Sequence, residues 1–236
     1  MRQVLYCCLG AVLCTSAIAG GGPLACDFSA IDSPLVSMKI ENGDIAGAEL
    51  NVPRDYIMSG GFRSGTTRET LLLRVWKDSF LPYTRVDARS KEQRLRFASG
   101  IKDDLVILVG SFKHFDTIAR MDLSGGNYPL PFNSPDADLK GVLLPNGLYG
   151  QKIKPIPHFS DVYLARHDER ITDIISCKQI GDVPSPGCDH IFQAGPYDLQ
   201  ISYRLNELSH WKMLRDQTAA LIGCFTTKMP TQKPGN

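Results

Sequence analysis

The chain has 236 residues, of which 43% are hydrophobic, and it carries 26 Lys and Arg against 25 Asp and Glu. That length suits one large or two small domains. A formal net charge of +1 leaves no electrostatic footprint for nucleic acid or for an anionic lipid surface.

The first stretch, "MRQVLYCCLGAVLCTSAIAGGG", sets Arg2 before an apolar run from Val4 to Leu13, with Ala17 and Ala19 where a signal peptidase reads. This pattern predicts a secretory signal over residues 1–19. The run is shorter than the roughly 20 residues a membrane helix needs, so no membrane span is expected after cleavage. "GPLAC" offers a competing lipid attachment at Cys26, although Pro23 stands where a lipoprotein signal usually has an aliphatic residue.

Removal of residues 1–19 takes away Cys7, Cys8 and Cys14 and leaves Cys26, Cys177, Cys188 and Cys224. An even remainder in an exported chain reads as two disulfides, because thiols pair in an oxidising compartment. Three connectivities are possible in principle. Proximity in sequence favours Cys177 with Cys188, which leaves Cys26 to meet Cys224.

Along the chain the patterns are mostly those of strands. "TLLLRVW" (70–76), "DLVILVGSF" (104–112), "DVYLAR" (161–166) and "ITDIISC" (171–177) are aliphatic or β-branched runs bounded by Gly, Pro or charged residues. "HDER" (167–170) reads as a hairpin connection. In "YDLQISYR" (197–204), Tyr197, Leu199, Ile201 and Tyr203 alternate with polar residues, the period of a half-buried strand. A helix is expected from "LNELSHWKMLRDQTAALIGCF", with Asn206 as cap, Gly223 as stop and Trp211 turned to the core. The fold class these patterns predict is α+β: a mainly antiparallel sheet with the C-terminal helix packed on it, stapled by disulfides. The Gly- and Pro-rich middle places a seam between an N-terminal β-rich part (20–125) and a C-terminal α+β part (126–236), which can also form one continuous domain.

Reaction motifs are missing. "GGFRSG" (60–65) does not meet Gly-x-Ser-x-Gly, so Ser64 reads as a turn residue. Asp103 with Asp104, and Asp136 with Asp138, read as turn or solvated carboxylates, and the basic stretch 85–97 as a solvated face. The pair Cys177 and Cys188 has neither the close spacing of a zinc site nor the Cys-x-x-Cys of a redox dithiol. No metal, no cofactor and no catalytic residue is therefore assigned. A staple fits: "GDVPSPG" turns strand 171–177 back towards a strand starting at Cys188, and His190 then shares a face with Cys188 and Phe192 as a hydrogen-bonded, partly buried residue.

Four blocks carry a resemblance: "LNVPRDYIMSGG" (50–61), "TLLLRVWKDSFLPYT" (70–84), "ITDIISCKQIGDVPSPGCDHIF" (171–192) and "DLQISYRLNELSHWKMLRDQTAALIGCF" (198–225). Their order resembles small exported bacterial proteins of mostly unknown function, some similar to periplasmic immunity proteins of type VI secretion effectors. Val52-Pro53 replaces the usual Ile-Pro, and the middle loops match nothing in the group. The resemblance implies a periplasmic binding protein that blocks a toxin such as a lipase or cell-wall hydrolase, and so needs no catalysis. Arg63, Arg68, Tyr128 and Tyr149 are the residue types that anchor protein interfaces and stand as candidates for that contact. Two competing readings are an exported hydrolase that uses His190, His158 or His167 as base, and an envelope lipoprotein held through Cys26.

Overall fold

A computed structural model of the chain describes Cys26, Phe28 and residues 31–41, 49–58, 63–83, 91, 94–95, 103–110, 142–151, 160–168, 170–178 and 186–226. The predicted signal, Tyr128, His158, Asp136 and Asp138 lie outside these residues, as does most of 85–97.

The chain enters a small sheet built from β1 (Leu35–Ile40), β2 (Glu49–Pro53) and β3 (Thr66–Arg68). In the order β2-β1-β3, β1 pairs antiparallel with β2 and parallel with β3. None of these strands was predicted as such. β1, "LVSMKI", has the alternation, with Val36, Met38 and Ile40 buried, but it is short and its neighbours are separated in sequence.

β4 (Thr70–Trp76) and β5 (Asp104–Gly110) form one end of a second sheet of eight strands. Next along the chain come β6 (Val142–Leu143), β7 (Tyr149–Gln151), β8 (Ser160–His167), β9 (Arg170–Lys178), β10 (Gly187–Ala194) and β11 (Tyr197–Arg204). The spatial order is β4-β5-β11-β10-β9-β8-β7-β6, with every pair antiparallel. β6 to β11 are thus a meander, and its last strand bonds to β5, so one sheet runs across position 125 in the sequence.

Turn chemistry sets the meander's register. Gly195, at φ 59, is the first central residue of the two-residue β10–β11 turn, where a positive φ matches the strands' twist. Asp168, at φ 47, serves the β8–β9 turn inside the predicted "HDER" connection.

The period-two pattern of β11 sends Tyr197, Leu199, Ile201 and Tyr203 to one face, and all are buried. Register then aligns Leu73, Ile107, Ile201, His190 and Ile175 in one row across five strands. This face belongs to the main core, which joins both sheets and the helix α1 (Trp211–Thr226). α1 packs on β2 and β10 and so lies between the small sheet and the large one. Each fully buried aliphatic side chain stabilises the fold by roughly 1.5–3 kcal/mol.

The C-terminal helix departs from expectation at both ends. Residues Leu205–His210 form a 3-10 helix preceded by Arg204, with no side-chain cap, so Asn206 does not start it. Gly223 lies inside α1, because Cys224 and Phe225 must stay helical to reach their partners. Those partners are at the N-terminus: Cys26 bonds to Cys224, and Phe28 stacks on Phe225 at 5.6 Å while Tyr56 meets Phe225 edge-on at 5.2 Å. The second disulfide joins Cys177 to Cys188, which are directly opposite on β9 and β10.

Candidate functional site

His190 is the first place to look for chemistry. Its side chain is completely buried, on the face β10 shares with Cys188 and Phe192. The structure buries it more deeply than the partly buried residue expected.

Its Nε2 lies 2.8 Å from Oδ1 of Asp173, which β9 presents to the same face. The Tyr203 hydroxyl lies 3.4 Å from Nδ1. Arg215, from the first turns of α1, brings its Nε to 2.8 Å from the same Asp173 oxygen. That N–H is not aimed at the oxygen, so the contact is an ion pair without a formed hydrogen bond. Phe192 and Trp211 flank the imidazole at 4.9 and 5.9 Å.

Burial pushes the His190 pKa below its ordinary value; Asp173 opposes this through its hydrogen bond and charge, and Arg215 adds to the lowering. The imidazole is therefore neutral at pH 7, donating from Nε2 to Asp173 and accepting at Nδ1 from Tyr203. Burial, and then the Asp173 charge, push the Tyr203 phenol far above its usual range. The donor set looks like an acid–base triad. Its location makes it a structural knot instead, because the imidazole has no exposed surface from which to reach a substrate. It ties β9, β10, β11 and α1 together.

The other sequence candidates are dispersed. His167 and its neighbour Asp168 stand exposed on the β8–β9 turn, 3.4 Å apart. Ser64 is an exposed turn residue whose hydroxyl accepts from the Ser37 backbone at 3.3 Å. Asp104, read from sequence as a turn carboxylate, opens β5 and pairs with Arg74 at 2.7 Å. Arg63 and Arg68 are exposed beside and on β3 in the small sheet. Tyr149 lies on β7 near the far edge of the large sheet, with the Arg166 guanidinium 5.1 Å above its ring. Arg63 and Arg68 thus stand at the small sheet and Tyr149 on the large one. Trp211 is buried, as expected, and donates from Nε1 to the Asn146 carbonyl at 3.0 Å, which holds the β6–β7 turn against α1.

The sequence reading missed a notch of about 380 Å³ where β9 and β11 end and β10 begins. Its lining includes Lys77, Asp104, Lys178, Gly187, Asp189, Arg204 and Glu207. Lys77 donates to Glu207. Burial alone would raise the Glu207 pKa, but hydrogen bonds from Lys77 and His210 outweigh it and hold the carboxyl below its usual range. The Ser202 hydroxyl donates to Asp189 at 2.6 Å.

Lys77 is delivered by a strained turn. Phe80 takes φ 55 to bury its ring, a conformation that costs a bulky residue about 1–3 kcal/mol. Its N–H bonds back to the Trp76 carbonyl at 2.8 Å, and Leu81 is left 47% exposed. No sequence motif announces this site, because its residues come from six separate segments.

Among the described residues, no cluster of His, Cys, Asp and Glu could hold a metal ion, and no helix is long and apolar enough to cross a membrane. No protein-family model matches the chain, and no curated protein matches it significantly. Solved structures do match. An immunity protein of the Stenotrophomonas maltophilia type IV secretion system superposes with a TM-score of 0.51 at 17% identity, over 82% of this chain and 92% of that one. The Neisseria meningitidis iron-regulated outer membrane lipoprotein FrpD gives 0.48 at 14% identity, over 82% and 92%. The first of these shares the fold; the second lies below the level at which a likeness carries weight.

Proposed function

We propose that this chain is an exported immunity protein, one that binds a toxin delivered into the cell envelope and blocks it. The reading is supported above all by the fold shared with a secretion-system immunity protein over most of both chains. Three features of the chain agree with it. The predicted signal and the two disulfides fit an oxidising compartment. The catalytic-looking group around His190 is sealed in the core. Two disulfides tie the framework together, and a preorganised surface binds without a large ordering cost.

The toxin would be a lipase or cell-wall hydrolase acting in the periplasm. The sequence resemblance implies type VI delivery, whereas the structural neighbour serves a type IV system. Arg63, Arg68, Tyr128 and Tyr149 remain proposed contact residues. Cys26 is bonded to Cys224, so its sulfur is not free to carry a lipid, and we read the protein as unanchored.

The test is co-production with the toxin encoded beside its gene, directed to the periplasm. Growth should be restored, and the two proteins should co-elute. Undiminished killing with no complex overturns the reading.

A further inference from the structure

We propose that Arg215 is an acid-responsive latch: when His190 takes up a proton, the guanidinium leaves Asp173 for Asp216, and the start of α1 loosens from the large sheet. The inference stands apart from the immunity reading.

One carboxylate oxygen faces two donors. Oδ1 of Asp173 lies 2.8 Å from Nε2 of His190 and 2.8 Å from Nε of Arg215. The two contacts are unequal. The imidazole makes a formed hydrogen bond, whereas the buried Arg215 Nε has no hydrogen-bond partner and holds the oxygen by charge alone. At its other end the same guanidinium donates from Nη1 to Oδ1 of Asp216 at 2.9 Å. Arg215 thus stands between a carboxylate that is 2% exposed and one that is 53% exposed.

The groups that face the imidazole are Asp173 from β9, Tyr203 from β11, and Trp211 and Arg215 from α1. Phe192 flanks it on its own strand, and Ile175 and Ile201, opposite it in the ladders, carry no charge. With His190 neutral, the Arg215 cation is shared by Asp173 and Asp216. A proton on His190 gives each carboxylate a cation of its own. Nδ1 then donates to the Tyr203 hydroxyl, which reverses from donor to acceptor.

Two cations at one buried oxygen repel each other, so one of them must give way. The imidazolium is completely buried and has no second carboxylate among the described residues. Arg215 is 29% exposed and already bonded to Asp216. The guanidinium is therefore the group that moves. Its departure matters because Arg215 joins α1 to β9 and lies over the Phe192 ring of β10 at 5.7 Å. The far end of α1 stays fastened by Cys26–Cys224, which confines the response to the first half of the helix.

Nuclear magnetic resonance of the isotope-labelled, disulfide-bonded chain tests this over a titration from about pH 7.5 to 4.5, a range that brackets the ordinary histidine pKa. The ring nitrogens of His190 report the proton, and the Arg215 Nε–H reports the guanidinium. Both should move with one midpoint. Below it, the amide protection factors of residues 212–218 should fall about tenfold, with those of 221–225 unchanged. In Arg215→Gln, His190 should titrate at higher pH, and the amides of 212–218 should no longer follow it. In Asp216→Asn it should titrate at lower pH, since the guanidinium has lost its second seat. Protonation of His190 with an unmoved Arg215 resonance overturns the latch. So does an imidazole that stays neutral throughout the titration in a folded chain, or one transition that frees every amide of α1 together.

Discussion

Truncation of Asp173 tests the claim that the buried polar cluster is a structural knot. In Asp173→Ala, His190 loses the acceptor 2.8 Å from Nε2 while remaining completely buried. An unsatisfied buried donor, and the loss of a hydrogen bond to a charged group, each cost about 1–3 kcal/mol. Arg215 also loses this counter-ion, but it keeps Asp216 at 2.9 Å from its guanidinium, which limits the added cost. The expected loss is therefore about 3 kcal/mol, or roughly 6–12 °C in melting temperature for a domain of this size. Urea denaturation followed by Trp fluorescence measures it, since Trp211 sits 5.9 Å from the imidazole. A cycle with Arg215→Ala should show coupling of about 0.5–1 kcal/mol. A loss below about 1 kcal/mol for Asp173→Ala would mean that water or a neighbour satisfies His190, and the knot would be a packing feature only.

The same cluster predicts a pH dependence. The His190 pKa is lowered on folding, so the unfolded chain binds the proton more readily; the contribution is fully present above about pH 6.5 and is lost as pH falls towards the folded value. Chemical denaturation at pH 7.5 and 5.5 should show it, and His190→Gln should flatten the difference. Removal of the Cys177–Cys188 bond by paired Cys→Ala substitution should cost about 3 kcal/mol in the chain-entropy model. Loss of Cys26–Cys224, which closes a far longer loop, should cost about 5 kcal/mol on the same model. Both are read from reduced and oxidised melting curves. Trp211→Phe removes the bond to the Asn146 carbonyl and should cost about 1–2 kcal/mol in urea, with amide exchange speeding up in the β6–β7 turn.

The strand patterns of β4, β5, β8, β9 and β11 were legible because each buries one face or is aliphatic throughout, and the signal that carries this lies within a few residues. The cysteine count and the turn between Cys177 and Cys188 made the short staple legible too. The helix ends were misread at Asn206 and Gly223 because capping preferences are worth only about 1 kcal/mol, less than burying Phe225 against Tyr56 and Phe28. The small sheet was hidden because β3 reaches β1 across residues 41–65, a pairing no local pattern reports.

The sequence by itself showed the α+β class with a mainly antiparallel sheet, the hairpin at 167–170, the turn between Cys177 and Cys188 and the favoured pairing of those two cysteines, all of which follow from local periodicity and spacing. Only the tertiary structure decided the position of His190, the partnership of Asp173 with Arg215, and the notch over Gly187. Those depend on which strands lie side by side: β11 closing on β5, and β9 ending beside β10, bring together residues far apart in the chain.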